Sequence, residues 1–534
     1  MFSFPKADDL PHAQRLSGPL EQREWLVAGE LRRFEGPLNE VVSPVRVKTD
    51  RGLEPVVLGF TPLLTAKESE EALEAAVKAW DNGRGAWPTM HVSERIAHVE
   101  RFLVAMRAKR AEVVKLLMWE IGKTLKDSEK EFDRTVDYIV DTISALKEAD
   151  RHATKFLQEQ GIMGQVRRVP LGVSLCMGPY NYPLNETFST MFPALLMGNP
   201  VILKPAKFGV LLVQPLLQAF RDCFPPGVVN VIYGRGRETV GTLMASGKVD
   251  VLAFIGTNKG ASDLKKLHPR PHRLKAVLGL DAKNIGIVTP DVDLDEAVAE
   301  CLAGSLSFNG QRCTAIKLIL VHRRVVEAFL EKFVKAVNGL KASMPWEPGV
   351  TLTPLPEPNK TDFLATLVAD ATKQGAKVIN PGGAEVTGSY FAPAVMYPVT
   401  PSMRLWHEEQ FGPIVPIGVW DEEQQVIDAV VDSPFGQQVS LFGRDAAQVG
   451  RLIDACAHQV GRINLNCQCQ CGPDVFPFTG RKDSAEGTLS VNDALRVFSI
   501  RTLVAAKTTE PNKRVVRDIL THRHSSFLST DYLL

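Results

Sequence analysis

Cysteine is scarce: the chain has eight in 534 residues, five standing singly and three gathered at Cys467, Cys469 and Cys471. That density excludes a secreted disulfide scaffold and fits reduced thiols. No histidines or second cysteine pair stand at zinc-ligand spacing from the triplet, so no metal is expected, and packing on one face of an extended segment accounts for the alternation. An excess of either charge is missing too. Lys+Arg 62 against Asp+Glu 61 leave a formal charge of +1, which gives no global field for nucleic acid or an anionic membrane, so any anion must be recognised locally. No apolar run is long enough to span a bilayer, and the opening MFSFPKADDLPHAQ breaks its apolar residues with Pro, Lys and Asp, unlike a secretory leader. A cytoplasmic enzyme is the expectation. Repeats and low-complexity tracts are absent as well.

Apolar residues make up 45% of the chain, enough for the two or three domains that its length predicts. Helical spacing runs through Leu73, Ala76, Val77 and Trp80, then over Val92 to Met118 and Ser128 to Leu146, so the first third reads as helix-rich. From Leu171 short apolar runs (172–177, 200–203, 228–232, 249–255, 274–278) alternate with helical or looped segments, the texture of a parallel sheet flanked by helices. A second α/β set follows Asn284, with a helix over 294–307, a strand over 316–321, a helix over 325–337 and a strand over 414–420. The segment from Thr508 reads as a polar C-terminal extension.

Parallel sheets bind ligands beyond the carboxyl ends of their strands, so the residues after each run carry the chemistry. Gly178-Pro179-Tyr180-Asn181-Tyr182-Pro183 presents Asn181, an oxyanion donor or an ordinary turn asparagine. Lys204 and Lys207 in Leu203–Lys207 suit a nucleotide, although solvated surface lysines look the same. Gly234-Arg235-Gly236 lacks the full dinucleotide spacing, and Phe254–Asn258 offers Gly256 and Thr257 to a phosphate. In Asn309–Ala315, Cys313 stands beside Arg312, and a neighbouring guanidinium favours thiolate. Taken alone, that cysteine is better explained by packing.

Together these segments, with Glu408-Glu409-Gln410-Phe411-Gly412-Pro413, resemble the aldehyde dehydrogenase superfamily over about Leu31 to Lys507. Arginine before the cysteine and tyrosine after the asparagine are most similar to the non-phosphorylating, NADP-dependent glyceraldehyde-3-phosphate dehydrogenases. The resemblance implies an α/β fold with a Rossmann-like cofactor domain (31–154 and 171–283), a catalytic domain (284–486) and a small β bridging element (155–170 and 487–507). It leaves an N-terminal extension (1–30) and a C-terminal one (508–534). It also implies that Cys313 attacks an aldehyde, that Asn181 and the Cys313 N–H hold the oxyanion, that hydride passes to a nicotinamide, and that the thioester is then hydrolysed. Lys204, Gly234, Gly256, Thr257, Glu409 and Phe411 would hold the cofactor. Lys207 stands where many NAD-using relatives carry glutamate, and its ammonium would favour the 2′-phosphate of NADP. Arg134, Tyr182 and Arg312 would hold a phosphorylated aldehyde, although Arg134 could instead pair with Glu131 or Asp137 on its own helix. Relatives assemble as dimers or tetramers.

Two positions depart from the pattern. Cys471 occupies the place of a further phosphate-contacting arginine, and Gly279 that of the glutamate that commonly activates the deacylating water. Asp281 is the nearest carboxylate along the chain and shares Gly279's face only if the strand continues regularly. A missing base also admits transfer of the acyl group to coenzyme A, or a non-catalytic protein of this fold.

Overall fold

The computed structural model describes residues 2–531. Two sheets organise it. The first has eight strands in the order 485–486, 275–279, 251–255, 174–177, 201–203, 229–231, 24–27, 30–33, with the five central strands parallel and both edges closed by antiparallel pairing. From the strand at 174–177 the chain steps outward through 201–203 to 229–231, then returns to place 251–255 on the other side of 174–177. That reversal is the switch point at which such sheets open a crevice for a ligand.

The second sheet has seven strands in the order 377–378, 394–397, 414–420, 316–322, 284–288, 438–442, 462–465, all parallel except the first. A three-stranded antiparallel sheet joins 156–159, 162–170 and 499–507. The fold is the expected α/β arrangement.

Several elements differ from the sequence expectation. The N-terminal segment is no loose extension: Trp25, Leu26 and Val27 are buried and their strand pairs with Val231 through Leu26. The first third also holds a long antiparallel hairpin, Leu38–Thr49 with Gly52–Pro62, before its helices begin. Its polar alternation, broken by bulges, hides the strand period. Ala485–Glu486, expected in the catalytic region, closes the eight-stranded sheet against Leu278 and Gly279. The C-terminal segment returns to the bridging sheet, where Gln165 and Arg167 donate to the Ser529 carbonyl.

Local signals explain the helices that matter. Thr65 caps Ala66–Trp80 by accepting from the Lys67 N–H, while Glu68 accepts from the Thr65 N–H, and Ala72, Leu73 and Ala76 form its buried stripe. Thr124 caps Leu125–Ala153, whose buried face includes Phe132, Val136, Ile139 and Ile143. Among the described residues no helix is long and apolar enough to cross a membrane.

Candidate active site

Cys313 is held by a strained turn. The helix Leu294–Leu306 runs into Phe308, Asn309 and Gly310, three successive left-handed residues with φ of 49°, 56° and 69°. A side chain at 310 would stand 2.7 Å from the Ser305 carbonyl oxygen and 2.8 Å from that of Gly412, so glycine is required there. Asn309 offsets the strain by accepting from the Thr353 N–H and donating to its hydroxyl, at 2.9 and 3.0 Å. The Cys313 carbonyl then accepts from Asn284 (2.8 Å) and from the Lys317 ammonium (2.7 Å), which fixes the backbone behind the thiol.

Asn181 is brought to this turn. Its buried amide donates to the Gln311 carbonyl at 3.0 Å, and its own carbonyl accepts from Lys123 at 2.7 Å. An amide nitrogen carries two hydrogens, so a second donor remains for an oxyanion formed at Cys313. Lys123 is fully buried, paired with Glu131 and seated over the Tyr182 ring at 3.6 Å. Neither Lys123 nor Lys317 carried a sequence signal, because a buried lysine is recognised only by its partners.

The Cys313 thiol opens on a cavity of about 470 Å³ lined by residues that include Arg134, Tyr182, Glu186, Arg312, Cys471 and Asp474. The three expected substrate contacts therefore meet here. Arg134 does not pair with Glu131 or Asp137; both prongs of its guanidinium bind Asp474, at 3.0 and 2.6 Å. Arg312 donates to the carbonyls of Ala303 and Gly304 at 3.2 and 2.8 Å, and its buried Nε has no partner.

The cysteine triplet divides. Cys469 packs in the core beside Ser440, Cys467 is half-buried, and the segment is loop beyond the strand Arg462–Leu465, so the triplet does not share one face of a strand. Cys471 reaches Cys313, the two sulfurs lying within 4.8 Å of each other. The two thiols titrate together: the Cys313 thiol and Arg134 bring Cys471 down to about 6, while Cys471, burial and Glu186 push Cys313 well up. Glu186, Cys313 and Cys471 have ligand atoms within 4.8 Å of one another, spacing that would admit a cation and that no sequence motif announced.

Asp281 does not line this cavity. The strand stops at Gly279, so the alternation on which its placement depended is broken. Its carboxylate accepts from the Asn258 N–H at 2.8 Å and faces Glu409; burial raises its pKa to about 6. Glu409 in turn bonds the Ala282 N–H and Lys317, at 3.1 and 2.7 Å. Phe411, at φ 43°, stands edge-on to Tyr180. Thr257 caps Asn258–Leu267 by accepting from the Gly260 N–H, so the helix N-terminus stands beside Gly256 with its Asn258 N–H already given to Asp281.

A second cavity, of about 490 Å³, lies beyond the ends of strands 201–203 and 229–231 and brings Lys204, Lys207 and Gly234 together with Arg235, which the sequence reading passed over. Burial of Lys204, with no carboxylate to oppose it, lowers its pKa to about 8. The sheet with its crevice, the capped helix at Thr257 and the thiol presented beside Asn181 are the parts expected of one family. The Aldehyde dehydrogenase family pattern matches residues 52–504.

The chain belongs to the aldehyde dehydrogenase family. It is 31% identical over 453 residues to the NADP-dependent glyceraldehyde-3-phosphate dehydrogenase of Apium graveolens, covering 82% of this chain and 88% of that protein. Among solved structures it is similar to NADP-dependent glyceraldehyde-3-phosphate dehydrogenase from Bacillus halodurans C-125 complexed with NADP, at 27% identity and a TM-score of 0.83, with 92% of this chain and 100% of that one covered. Succinate-semialdehyde dehydrogenase from Burkholderia pseudomallei matches as closely in shape, with 26% identity, a TM-score of 0.83 and coverage of 91% and 98%. The aldehyde dehydrogenase fold is thus shared by proteins named for different aldehydes.

Proposed function

We propose that this aldehyde dehydrogenase oxidises a small aldehyde to its acid with NADP, through a thiohemiacetal and then a thioester on Cys313. The observation that carries the reading is the Cys313 thiol facing the cavity with Asn181 beside its turn. Cys471, whose pKa falls to about 6, stands within 4.8 Å as a base for the Cys313 proton, and the Cys313 thiolate attacks the carbonyl carbon. The developing oxyanion takes the Asn181 amide and the Cys313 N–H, donors fixed in place before charge appears and worth roughly 3 kcal/mol each.

The residues of the second cavity fit NADP: Lys204 is a buried cation without a counter-charge, and Lys207 with Arg235 would meet a 2′-phosphate. When bound, NADP accepts the hydride. Glu409 and Phe411 would hold its nicotinamide ribose, with Gly256 and Thr257 near the phosphates. Ile500 and Leu503, more than half exposed on the bridging sheet, support self-association into a dimer or tetramer.

Glyceraldehyde 3-phosphate is the first substrate to test, since Arg134, Tyr182 and Arg312 all face the cavity. The Arg134–Asp474 pair and Cys471 in place of an arginine favour a second reading, a semialdehyde or another aldehyde with a less charged tail. NADPH formation is to be followed over phosphorylated, carboxylated and neutral aldehydes, with neither inorganic phosphate nor coenzyme A present. Turnover only upon addition of coenzyme A would replace hydrolysis with acyl transfer. Absence of NADPH with every aldehyde would refute the assignment.

A further inference from the structure

Gly279 leaves the thioester on Cys313 without a base, and the cavity supplies another carboxylate. Glu186 is the second residue of the helix Asn185–Leu196, which begins four residues after Asn181 and packs on the strands of the eight-stranded sheet. Its Oε1 is 3.9 Å from the Cys313 Sγ. The acyl carbon is bonded directly to that sulfur, so a water placed between the carboxylate and the acyl carbon reaches both. Asp281, by contrast, is committed to the Asn258 N–H and lies off the cavity.

We propose that Glu186 is the general base that releases the acyl group from Cys313, in place of the carboxylate missing at Gly279. The assignment rests on the acyl-cysteine chemistry proposed above. The Glu186 carboxylate takes a proton from water as the water oxygen bonds to the acyl carbon. Collapse of the tetrahedral adduct breaks the carbon–sulfur bond, the electron pair leaves on Cys313 sulfur, and the Cys471 S–H stabilises that thiolate. The free acid departs, and the proton on Glu186 returns to solvent.

Burial, together with the neighbouring Cys471, raises the Glu186 pKa to about 8, so its basic form gains with rising pH. The charged and titratable groups around it are Cys313 and Cys471, Arg134 and Glu131 on the helix 125–153, and Lys123 at that helix's start. The same environment makes the ionised carboxylate a stronger base than one in water.

A cofactor-free assay separates this step from aldehyde oxidation. 4-Nitrophenyl acetate acetylates Cys313 and releases nitrophenolate without NADP, and acetyl-enzyme is read by intact mass. In Glu186→Gln, acetylation should proceed to one per site with a matching nitrophenolate burst, while steady release falls roughly 100-fold or more. Wild-type deacetylation should rise with pH until about 8, and the variant should lose that rise. An unchanged steady rate, or a pH profile like the wild type's, would overturn the assignment. So would loss of acetylation itself in both Glu186→Gln and Glu186→Ala, the result of a structural role. Should no aldehyde reduce NADP, the oxidation reading would fail while the ester measurement still decided Glu186.

Discussion

Arg134 and Asp474 form a two-pronged ion pair, 3.0 and 2.6 Å, in the wall of the cavity that holds Cys313. The pair consumes the cation on which a phosphorylated substrate would depend. Asp474→Asn should release Arg134 and lower KM for a phosphorylated aldehyde about tenfold relative to its unphosphorylated analogue, the worth of one charge-assisted hydrogen bond. Equal KM changes for both would show that Arg134 does not meet the phosphate.

Cys471→Ser tests the coupling of the two thiols. Cys471 ionises first, at about 6, and is foremost among the groups that push the Cys313 thiol well up; without it, burial and Glu186 remain but that largest cause is gone. Alkylation of Cys313 by iodoacetamide, followed at its own peptide, should therefore set in at a lower pH in the variant than in the wild type. A midpoint that stays put would mean that Cys471 does not tune the nucleophile.

Lys207 and Arg235 face the second cavity together. Lys207→Glu places a carboxylate where a ribose hydroxyl could be accepted and a 2′-phosphate repelled, so NADP should bind about tenfold or more weaker while NAD changes little. Arg235→Ala should weaken NADP in the same direction. Fluorescence titration with NADPH and NADH measures both, and parallel losses for the two cofactors would place these side chains away from the phosphate.

Gly310→Ala should be costly for its size. A Cβ there would press on two carbonyl oxygens at a left-handed φ of 69°, a strain of about 2 kcal/mol before the turn moves. The thermal midpoint should fall and Cys313 alkylation should change rate with it. A variant with wild-type stability and reactivity would show that the turn is not held as tightly as its geometry implies.

The parallel strands of the eight-stranded sheet were legible as short apolar runs because both of their faces are buried. In the second sheet, 284–288, 438–442 and 462–465 are less legible because Gly286, Ser440 and Asn464 interrupt their apolar texture, and 394–397 because it is only four residues long; the pairing of 284–288 with 438–442 also joins segments distant in sequence. The hairpin 38–62 was missed for the opposite reason, since its partly exposed strands alternate irregularly.

The sequence alone determined the nucleophile's neighbourhood: Asn309 to Ala315, Gly178 to Pro183 and Leu203 to Lys207 are contiguous segments whose residue types announce their chemistry, and the family followed from their order. Tertiary structure alone decided the side chains that meet across long separations. Arg134 finds Asp474 340 residues away, and Glu186 finds Cys313 across 127. Cys471 crosses to Cys313 from a loop after the last strand of the second sheet. Local sequence sets backbone conformation and hydrophobic period, but an ion pair, a coupled pair of thiols or a base beside a sulfur depends on distance in space, which the packing of the two sheets fixes.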